Sequence, residues 1–325
     1  MKAAAFIFRK IAPVHFSFWN DAESRTIRMF GKAERDMRRM RKRNTRPMDD
    51  PSRVTTDDSC VDLLWTGGWD STFRLLQLLL LHRVPVAPHY LEDPTRASTQ
   101  IELRTMARIG EHLGEAYPCT RELLQPLRLA AVADVADDPE ISGALREIRK
   151  RTFIGSQYAW LPAFCKQNAI TGMELGVHVD DKVQALLRSF VVEFEHPCGY
   201  RSIRVDPRHA DTAEYRLFGC FSFPLFRIDK LGIGRQAEAG GWSAIMDMTW
   251  FCHTPLRGRP CGTCAPCVYT IEEGLAHRVP ASRRALSFFY RHLVLPLKGP
   301  LRDMRASSRR RPVARHPDAP GIGDP

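Results

Sequence analysis

The segment LLWTGGWDSTFRLLQLLL, residues 63–80, predicts the centre of the fold. Its first part continues an apolar run over residues 61–65 that is typical of a buried strand. A short polar turn over residues 66–71 follows, and the amphipathic pattern after it predicts a helix that starts near Thr72. The segment therefore predicts a strand, a tight turn and a helix in immediate succession.

The turn has the residue types that bind phosphate. Gly67 and Gly68 allow positive φ and leave no Cβ atom in the way of a ligand. Asp70 and Ser71 occupy positions expected for helix N-caps, so the free N–H groups of the first helical turn should point into the loop. A phosphate there would meet N–H donors and the positive end of the helix dipole, and Asp70 is suited to hold Mg²⁺ against it. The predicted phosphate-binding residues are Thr66, Gly67, Gly68, Trp69, Asp70, Ser71 and Thr72.

The string T-G-G-W-D-S-T resembles the S-G-G-x-D-S loop of the PP-loop ATP pyrophosphatase superfamily, with Thr66 in place of the first serine. The resemblance implies that the phosphates belong to ATP. No G-x-x-x-x-G-K-S/T string occurs, so the sequence does not predict a Walker-type P-loop.

The rest of the chain alternates strand-like and helix-like segments, which predicts an α/β fold with a doubly wound parallel sheet. Ligands of such sheets bind beyond the carboxyl ends of the strands. Three stretches should therefore meet at one edge: the Gly-Gly turn, residues 91–98 and residues 172–181. The predicted strands are residues 84–90, 115–118 and 169–172, with a hairpin over 190–206; the predicted helices are 99–113, 121–135, 142–168 with a break at Pro162, 229–238, 266–277 and 284–295.

Four cysteines near the end of the chain have metal-ligand spacing, C-x8-C-x2-C-x2-C. Each C-x2-C step lets a tight turn bring two thiolates onto one ion, and four thiolates close a tetrahedron with no open position. Structural Zn²⁺ is therefore expected, with an iron–sulfur cluster as the alternative and His253 as a substitute ligand. The predicted ligands are Cys252, Cys261, Cys264 and Cys267.

Charge is distributed unevenly over the 325 residues. The net charge is +8 over residues 1–53 and +7 over 283–325, whereas 54–282 carries −4. We expect a basic N-terminal extension with a linker over 1–56, a PP-loop-type domain over 57–282 with its metal-binding part at 250–268, and a final helix with a basic, Pro-rich, irregular tail over 283–325. Nucleic acid binding through the basic flanks is the less favoured interpretation, since such flanks are commonly solvated tails.

Composition narrows the class of protein further. An apolar share of 44% is ample for a core. No run of 18 apolar residues occurs, so no membrane span is expected. Nine cysteines, four of them with metal spacing, do not suggest a disulfide scaffold, and a reducing cytoplasmic location is expected.

The two motifs together resemble the 7-cyano-7-deazaguanine synthase family of queuosine biosynthesis over about residues 61–275. The match includes Pro224-Leu225, Asp229-Lys230 at a helix start, and Thr249-Trp250-Phe251-Cys252 entering the metal site. The resemblance implies an ATP-dependent ligase that adenylates a small-molecule carboxylate or amide, releases pyrophosphate and passes the acyl group to ammonia or another nitrogen nucleophile. By the same resemblance the catalytic residues are Asp70, Ser71 and Lys230, and the cofactors are ATP, Mg²⁺ and Zn²⁺. Weaker candidates for the site are Arg96, Arg104 and Gln157.

Departures from that family leave the substrate open. The family carries D-Y-G-Q-R/K-H after its second strand, whereas this chain has HYLEDP at residues 89–94. The family's substrate-recognition stretch G-V-x-x-x-D appears here as Gly172-Met173-Glu174, with Asp180-Asp181 further on. Two alternatives therefore remain: a PP-loop tRNA-modifying enzyme of the thiolase type, and a non-catalytic nucleotide-binding adaptor in a defence or glycan-related system. Homo-oligomerisation is also left open.

Overall fold

The computed structural model describes residues 60–294. The predicted N-terminal extension, its linker and the basic tail lie outside these residues. Within them, seven strands form one sheet in the order β3-β2-β1-β4-β7-β6-β5. The strands are β1 Val61–Leu64, β2 Val86–Glu92, β3 Arg128–Ala131, β4 Met173–Glu174, β5 Val191–Glu195, β6 Arg201–Val205 and β7 Phe221–Ser222.

Helices connect most of the strands. Two of the helices continue as short π-helical turns, Gln77–His82 and Tyr290–Val294. The α-helices are α1 Trp69–Leu76, α2 Thr99–Ala116, α3 Thr120–Leu123, α4 Pro139–Arg149, α5 Leu161–Gln167, α6 Lys182–Leu187, α7 Ala213–Phe218, α8 Lys230–Ala239, α9 Ser243–Asp247, α10 Ala265–Glu272 and α11 Ala281–Phe289. No helix among the described residues has both the length and the apolar character to cross a membrane.

The order of the sheet reverses beside its first strand. β1 pairs in parallel with β2 on one side and with β4 on the other, and Leu63 lies opposite both Pro88 and Glu174. The chain therefore leaves β1 and β4 in adjacent positions at the same edge. In open α/β sheets such a reversal opens a crevice at the carboxyl ends, which is the usual ligand site.

Two hydrophobic clusters pack the sheet. One combines Val61 and Leu63 of β1 with apolar residues of α1, α2, α8 and α9. The other contains Leu91 of β2 and Leu175 after β4, with apolar residues of α4, α5 and α7. Because neighbouring strand residues point to opposite faces, each cluster covers one face of the sheet. The predicted α/β fold, with helices around a mostly parallel sheet, is confirmed.

The prediction of the third strand from the sequence was wrong. Residues 115–118 end helix α2 and turn into α3, and the third strand is Arg128–Ala131, inside the segment 121–135 that was predicted to be helical. This strand pairs in parallel with β2 at the edge of the sheet, and its four residues are only half-buried or exposed. Its alanines favour helix by propensity, and pairing with β2 overrides that preference.

The predicted hairpin over 190–206 is present as the antiparallel pair β5 and β6. It extends the main sheet, because Arg204 of β6 pairs antiparallel with Ser222 of β7. The fourth strand is short and begins one residue beyond the predicted 169–172, at Met173.

Candidate nucleotide and metal sites

The predicted phosphate-binding loop, residues 66–72, is called the phosphate loop below. It joins β1 to α1, but the helix begins earlier than expected. Gly68 is the N-cap residue of α1, and Asp70 and Ser71 lie in its first turn rather than at cap positions. The first backbone hydrogen bond of the helix runs from the Thr72 N–H to the Gly68 carbonyl, at 3.0 Å. A glycine N-cap has no side chain to occupy the first N–H groups, so a ligand can approach them.

Side chains of the loop hold its shape. The Thr66 N–H donates to Ser71 Oγ at 3.3 Å, and Trp65 Nε1 donates to Thr72 Oγ1 at 3.0 Å. Gly67 has φ +67°, and a Cβ at that position would lie 3.1 Å from Met106 Cγ of α2. The loop therefore depends on glycine at this position for both its conformation and its fit against α2.

The loop after β4 lies over the first turn of α1. A Cβ added to Gly176 would lie 3.0 Å from the Asp70 Cβ and 3.3 Å from the Ser71 backbone nitrogen. Two of the three stretches predicted to meet at the edge, the Gly-Gly turn and 172–181, are thus in direct contact. In place of residues 91–98, the helix that follows them contacts the turn: a Cβ on Gly67 would lie 3.3 Å from the Glu102 carbonyl of α2.

Charged groups cluster around Asp70. His178 Nε2 is 3.9 Å from Asp70 Oδ2, which is too long for a hydrogen bond. Burial raises the pKa of Asp181 and the Asp70 charge raises it further, while the Val183 N–H, His178 and Lys230 act against the rise. Asp70, Asp181, His178 and Lys230 therefore share one electrostatic environment at the start of α1.

Two polar atoms of the first turn are buried and lack a hydrogen-bond partner within the described part of the chain: Trp69 Nε1 and Asp70 Oδ1. Buried polar atoms are nearly always paired in folded proteins, so each exception requires an explanation. A donor and an acceptor without partners in adjacent residues, beside free helix N–H groups, fit the polar groups of a ligand.

Arg278 is a further cation at this site, and sequence reasoning missed it. Its guanidinium carbon lies 4.9 Å from the ring centre of Trp69 and 5.1 Å from that of Phe251. Nη2 donates to the carbonyl and the hydroxyl of Thr249. Burial lowers the pKa of Arg278 to about 10, and the charges of Asp247 and Asp70 oppose that shift. Arg278 thus remains a cation at neutral pH.

Lys230, the predicted catalytic lysine, is the first residue of α8, and Asp229 caps that helix by accepting from the Gly232 N–H. Its Nζ forms an ion pair with Glu273 Oε2 at 2.6 Å, and both side chains are largely buried. Lys230 therefore contributes to the electrostatic environment of Asp181, but its ammonium group is already paired with Glu273.

The weaker candidates have other partners or other positions. Arg96 Nη2 is 2.9 Å from Glu102 Oε1, and Tyr90 and Ser98 also donate to that carboxylate. Arg104 on α2 is exposed, and Gln157 lies exposed in the 3-10 turn Ser156–Ala159. From the segment 89–94, which departs from the family motif, Tyr90 contributes its hydroxyl to the hydrogen bonds around Glu102.

Glu174 is not open to a ligand. Arg74 of α1 binds its two carboxylate oxygens at 2.7 and 2.9 Å, and the Tyr200 hydroxyl donates to one of them at 2.8 Å. Burial opposes the charge of Arg74, but Glu174 raises its pKa overall. This buried, fully paired carboxylate fixes α1 against β4 and does not extend the site.

The four predicted metal ligands come together. The Sγ atoms of Cys252, Cys261, Cys264 and Cys267 all lie within 4.8 Å of one another, and three of the four residues are buried. Gly262, between the second and third ligands, has φ +83°, and a Cβ there would lie 2.5 Å from the Arg283 carbonyl of α11. The group is a donor set that can hold a metal ion.

Hydrogen bonds to Cys261 Sγ favour its thiolate, whereas hydrogen bonds with neighbouring thiols raise the pKa of Cys252 and of Cys267. Burial works against ionisation of Cys261, but donors from Thr254, Thr263 and Cys264 lower its pKa overall. The Cys261 N–H donates in turn to Cys252 Sγ at 3.2 Å. His253, the alternative ligand, is exposed and lies outside the four-sulfur group.

The metal segment and the phosphate loop are in contact. The Trp250 N–H donates to the Gly67 carbonyl at 2.9 Å, and a Cβ on Gly68 would lie 3.6 Å from the Trp250 carbonyl. Trp250 stands two residues before the first metal ligand, and its Nε1 donates to the Cys252 carbonyl at 2.7 Å. The backbone that enters the four-cysteine group therefore also holds the Gly-Gly turn.

A cleft of about 420 Å³ lies beside this edge of the sheet, between the loop after β4 and helix α8. Its volume is within the range of small-molecule sites. Arg227 and Arg235 on its wall are largely exposed, and the cleft is lined by Val179, Arg227, Ile228, Asp229, Gly232, Arg235, Gln236 and Ala239.

No family model matches the chain, and no curated protein matches it. Among solved structures it is similar to the U34-tRNA thiolase NcsA from Methanococcus maripaludis with its 4Fe-4S cluster, at 14% identity and a TM-score of 0.35. The similarity covers 73% of this chain and 72% of that chain. A likeness of this size assigns neither a family nor a chemistry to this chain.

Proposed function

We propose that this chain is an ATP-dependent enzyme of the PP-loop type, which adenylates a carboxylate and transfers the acyl group to ammonia or another nitrogen nucleophile. The observation that carries the proposal is the first turn of α1, at the reversal of the sheet. This turn has no side-chain cap, and it contains the unpartnered atoms of Trp69 and Asp70. It also belongs to the T-G-G-W-D-S-T string.

The residues present suit ATP and Mg²⁺. The N–H groups of the first turn and the hydroxyls of Thr66 and Ser71 would bind phosphate oxygens. Asp70, whose Oδ1 lacks a partner, would hold Mg²⁺ against them. Arg278, fixed between two aromatic rings, would add positive charge where pyrophosphate leaves.

The proposed reaction has two steps. A substrate carboxylate oxygen attacks the α-phosphorus of ATP, and the bond to the β-phosphate oxygen breaks with release of pyrophosphate. Ammonia then attacks the acyl carbon, AMP leaves with the electrons of the acyl–oxygen bond, and a proton is lost from nitrogen. The cleft beside α8 is the proposed site of the carboxylate, and the protein contributes mainly positioning and electrostatic stabilisation.

The four cysteines would hold a single Zn²⁺ in a structural role. Thiolates bound to one zinc at about 2.3 Å lie about 3.8 Å apart along the edges of a tetrahedron. Two of the six Sγ–Sγ separations are 3.8 Å, between Cys252 and Cys264, and 3.9 Å, between Cys261 and Cys267, and all six are within 4.8 Å. A four-iron cluster gives each thiolate its own iron and spreads the sulfurs farther apart than one ion does.

The thiolase alternative usually requires a reactive cysteine pair at the site, and the C-x2-C units of this sequence belong to the metal group. Cys198, in the turn between β5 and β6, is the cysteine outside the metal group that lies at the same edge of the sheet. Burial raises its pKa and Glu174 raises it further, which makes it a poor nucleophile. This favours the carboxylate reaction over sulfur transfer.

The test measures AMP and pyrophosphate formed from ATP with Mg²⁺ and ammonia, over a panel of carboxylates that includes 7-carboxy-7-deazaguanine. We expect AMP and pyrophosphate in equal amounts with at least one carboxylate, and the corresponding amide as product. Formation of ADP and phosphate, or sulfur transfer to tRNA with no reaction of any carboxylate, would overturn the proposal.

A further inference from the structure

Helix α11 and the π-helical turn after it turn an apolar face outward. Leu286, Phe288, Phe289 and Leu293 are 42%, 53%, 57% and 60% exposed. Leu286, Phe289 and Leu293 follow one another at helical spacing of three and four residues, so they form one stripe. Phe288 lies beside it, with its ring 6.0 Å from that of Phe289. These four residues are called the outward face below.

The opposite side of the same helix is polar and packs on the protein. Ser287 is completely buried, and Arg291 binds Glu272 of α10 at 2.8 Å. The backbone of Arg283 closes against Gly262 in the four-cysteine segment. A helix of a globular protein normally buries its apolar side and exposes its polar side, so this orientation is reversed. Large exposed apolar patches on a folded protein mark an interaction site.

Along the sequence, the outward face lies next to a stretch with excess positive charge. Arg284 is exposed on the same helix, and the sequence from 295 to 325 contains seven Lys or Arg against three Asp. The residues from 54 to 282 carry −4, so the charge belongs to this end of the chain and to the basic N-terminal flank. An apolar helical face next to a polybasic segment is the combination that holds a protein on an anionic lipid surface.

We infer that the outward face of Leu286, Phe288, Phe289 and Leu293 docks the protein on an anionic lipid bilayer, to which the net positive charge of this end of the sequence also attracts it. The helix lies in the interface plane and does not cross the bilayer. Apolar insertion and charge attraction act together, because either alone gives weak, reversible binding.

The observations favour a bilayer over the other occupants. Nucleic acid would use the basic charge but would leave the two leucines of the outward face without an apolar environment. A second copy of this chain would bring two strongly basic ends together, which opposes association. An anionic bilayer matches both the charge and the apolar stripe.

The experiment uses the full-length protein and vesicle co-sedimentation. Vesicles of phosphatidylcholine with about 30% phosphatidylglycerol are compared with phosphatidylcholine alone, since the negative surface potential should decide binding. The wild type should bind the anionic vesicles, and binding should weaken steeply as salt rises. Phe289→Ser/Leu293→Ser should lower the partition coefficient at least about tenfold, because each change removes an apolar side chain from the inserted face.

The matched control is Leu81→Ser/Phe153→Ser, which makes equivalent changes at side chains that are 64% and 69% exposed elsewhere. This control should bind vesicles as the wild type does. Thermal unfolding and ATP binding should stay unchanged in both double variants, and Leu286→Gln serves as a second test of the face if the first variant unfolds.

Several results would overturn the inference. They are equal binding to neutral and anionic vesicles, undiminished binding of Phe289→Ser/Leu293→Ser, and absence of vesicle binding by the wild type. Tight binding of an RNA oligonucleotide without vesicle binding would assign the basic end to nucleic acid. Dimers that light scattering detects in the wild type and not in the variant, again without vesicle binding, would assign the face to self-association.

Discussion

Asp70 provides a test in which stability and activity should change in opposite directions. Replacing it with alanine removes the proposed Mg²⁺ ligand, so pyrophosphate release should fall about 10²-fold or more. The same change removes a carboxylate oxygen, Oδ1, that is buried without a partner. We therefore expect the apo protein to become more stable as it becomes inactive, which is common where a site holds strain for function.

The size of the stability change follows from the contacts of Asp70. A buried acceptor without a partner costs about 1–3 kcal/mol. Losing a negative charge from the first turn of α1 costs about 0.3–1 kcal/mol through the helix dipole. Relief of repulsion with Asp181 and the higher helix propensity of alanine add small favourable contributions, and loss of the attraction to Arg278 adds a small unfavourable one. The balance is a gain of about 1 kcal/mol, or roughly 2–4 °C in Tm for a domain of this size.

Thermal unfolding without ligands measures the stability of Asp70→Ala, and an AMP and pyrophosphate assay measures its activity. Glu111→Ala is the matched control, since it removes one carboxylate from an exposed position on α2. The control should leave activity unchanged and shift the unfolding free energy by less than about 0.5 kcal/mol. Asp70→Ala that unfolds at lower temperature and retains its activity would show that Asp70 has a structural role only.

Three further changes address the rest of the site. Gly176→Ala should weaken ATP binding about tenfold in calorimetry, because its Cβ would lie 3.0 Å from the first turn of α1; Gly234→Ala, with 3.8 Å to its nearest neighbour, should not. Arg278→Met should raise the KM for ATP and lower Tm, and Arg278→Lys should recover charge-dependent binding without the stacking, as initial rates and melting curves will show. Cys264→Ser should lose about one Zn²⁺ per chain by elemental analysis and should unfold at a lower temperature. The control Cys119→Ser, at an exposed cysteine, should keep its zinc and its unfolding temperature. Bound iron with a visible absorption band would contradict the zinc assignment.

The sequence predicted best what depends on local chemistry. The Gly-Gly turn between a buried strand and a helix could be identified because positive φ and N–H donors are properties of a few adjacent residues. The four cysteines could be grouped because their spacing fixes how the backbone must turn. Even so, the start of α1 was misplaced by three residues, since a glycine N-cap leaves no side-chain signal.

Features that depend on distant partners could not be predicted. Arg278 has no local signal, because Trp69 is 209 residues away in the chain and the stacking exists only after folding. Glu174 lies in the stretch that resembles the family's substrate-recognition motif, but Arg74, one hundred residues earlier, forms an ion pair with its carboxylate. The prediction of the third strand was wrong for the same reason, because the pairing of β3 with β2 is a property of the sheet and not of its own residues.

The contact between the four-cysteine segment and the phosphate loop explains how a structural metal ion, which takes no direct part in the proposed reaction, would still affect it. A metal held by four thiolates has no free coordination position, so it can act on ATP only through the backbone that it fixes. That backbone contributes the Trp250 N–H to the Gly67 carbonyl, and it contributes Thr249 and Phe251 to the position of Arg278. Metal binding would therefore order the turn and its cation together, and the phosphate site should be complete only in metal-loaded protein.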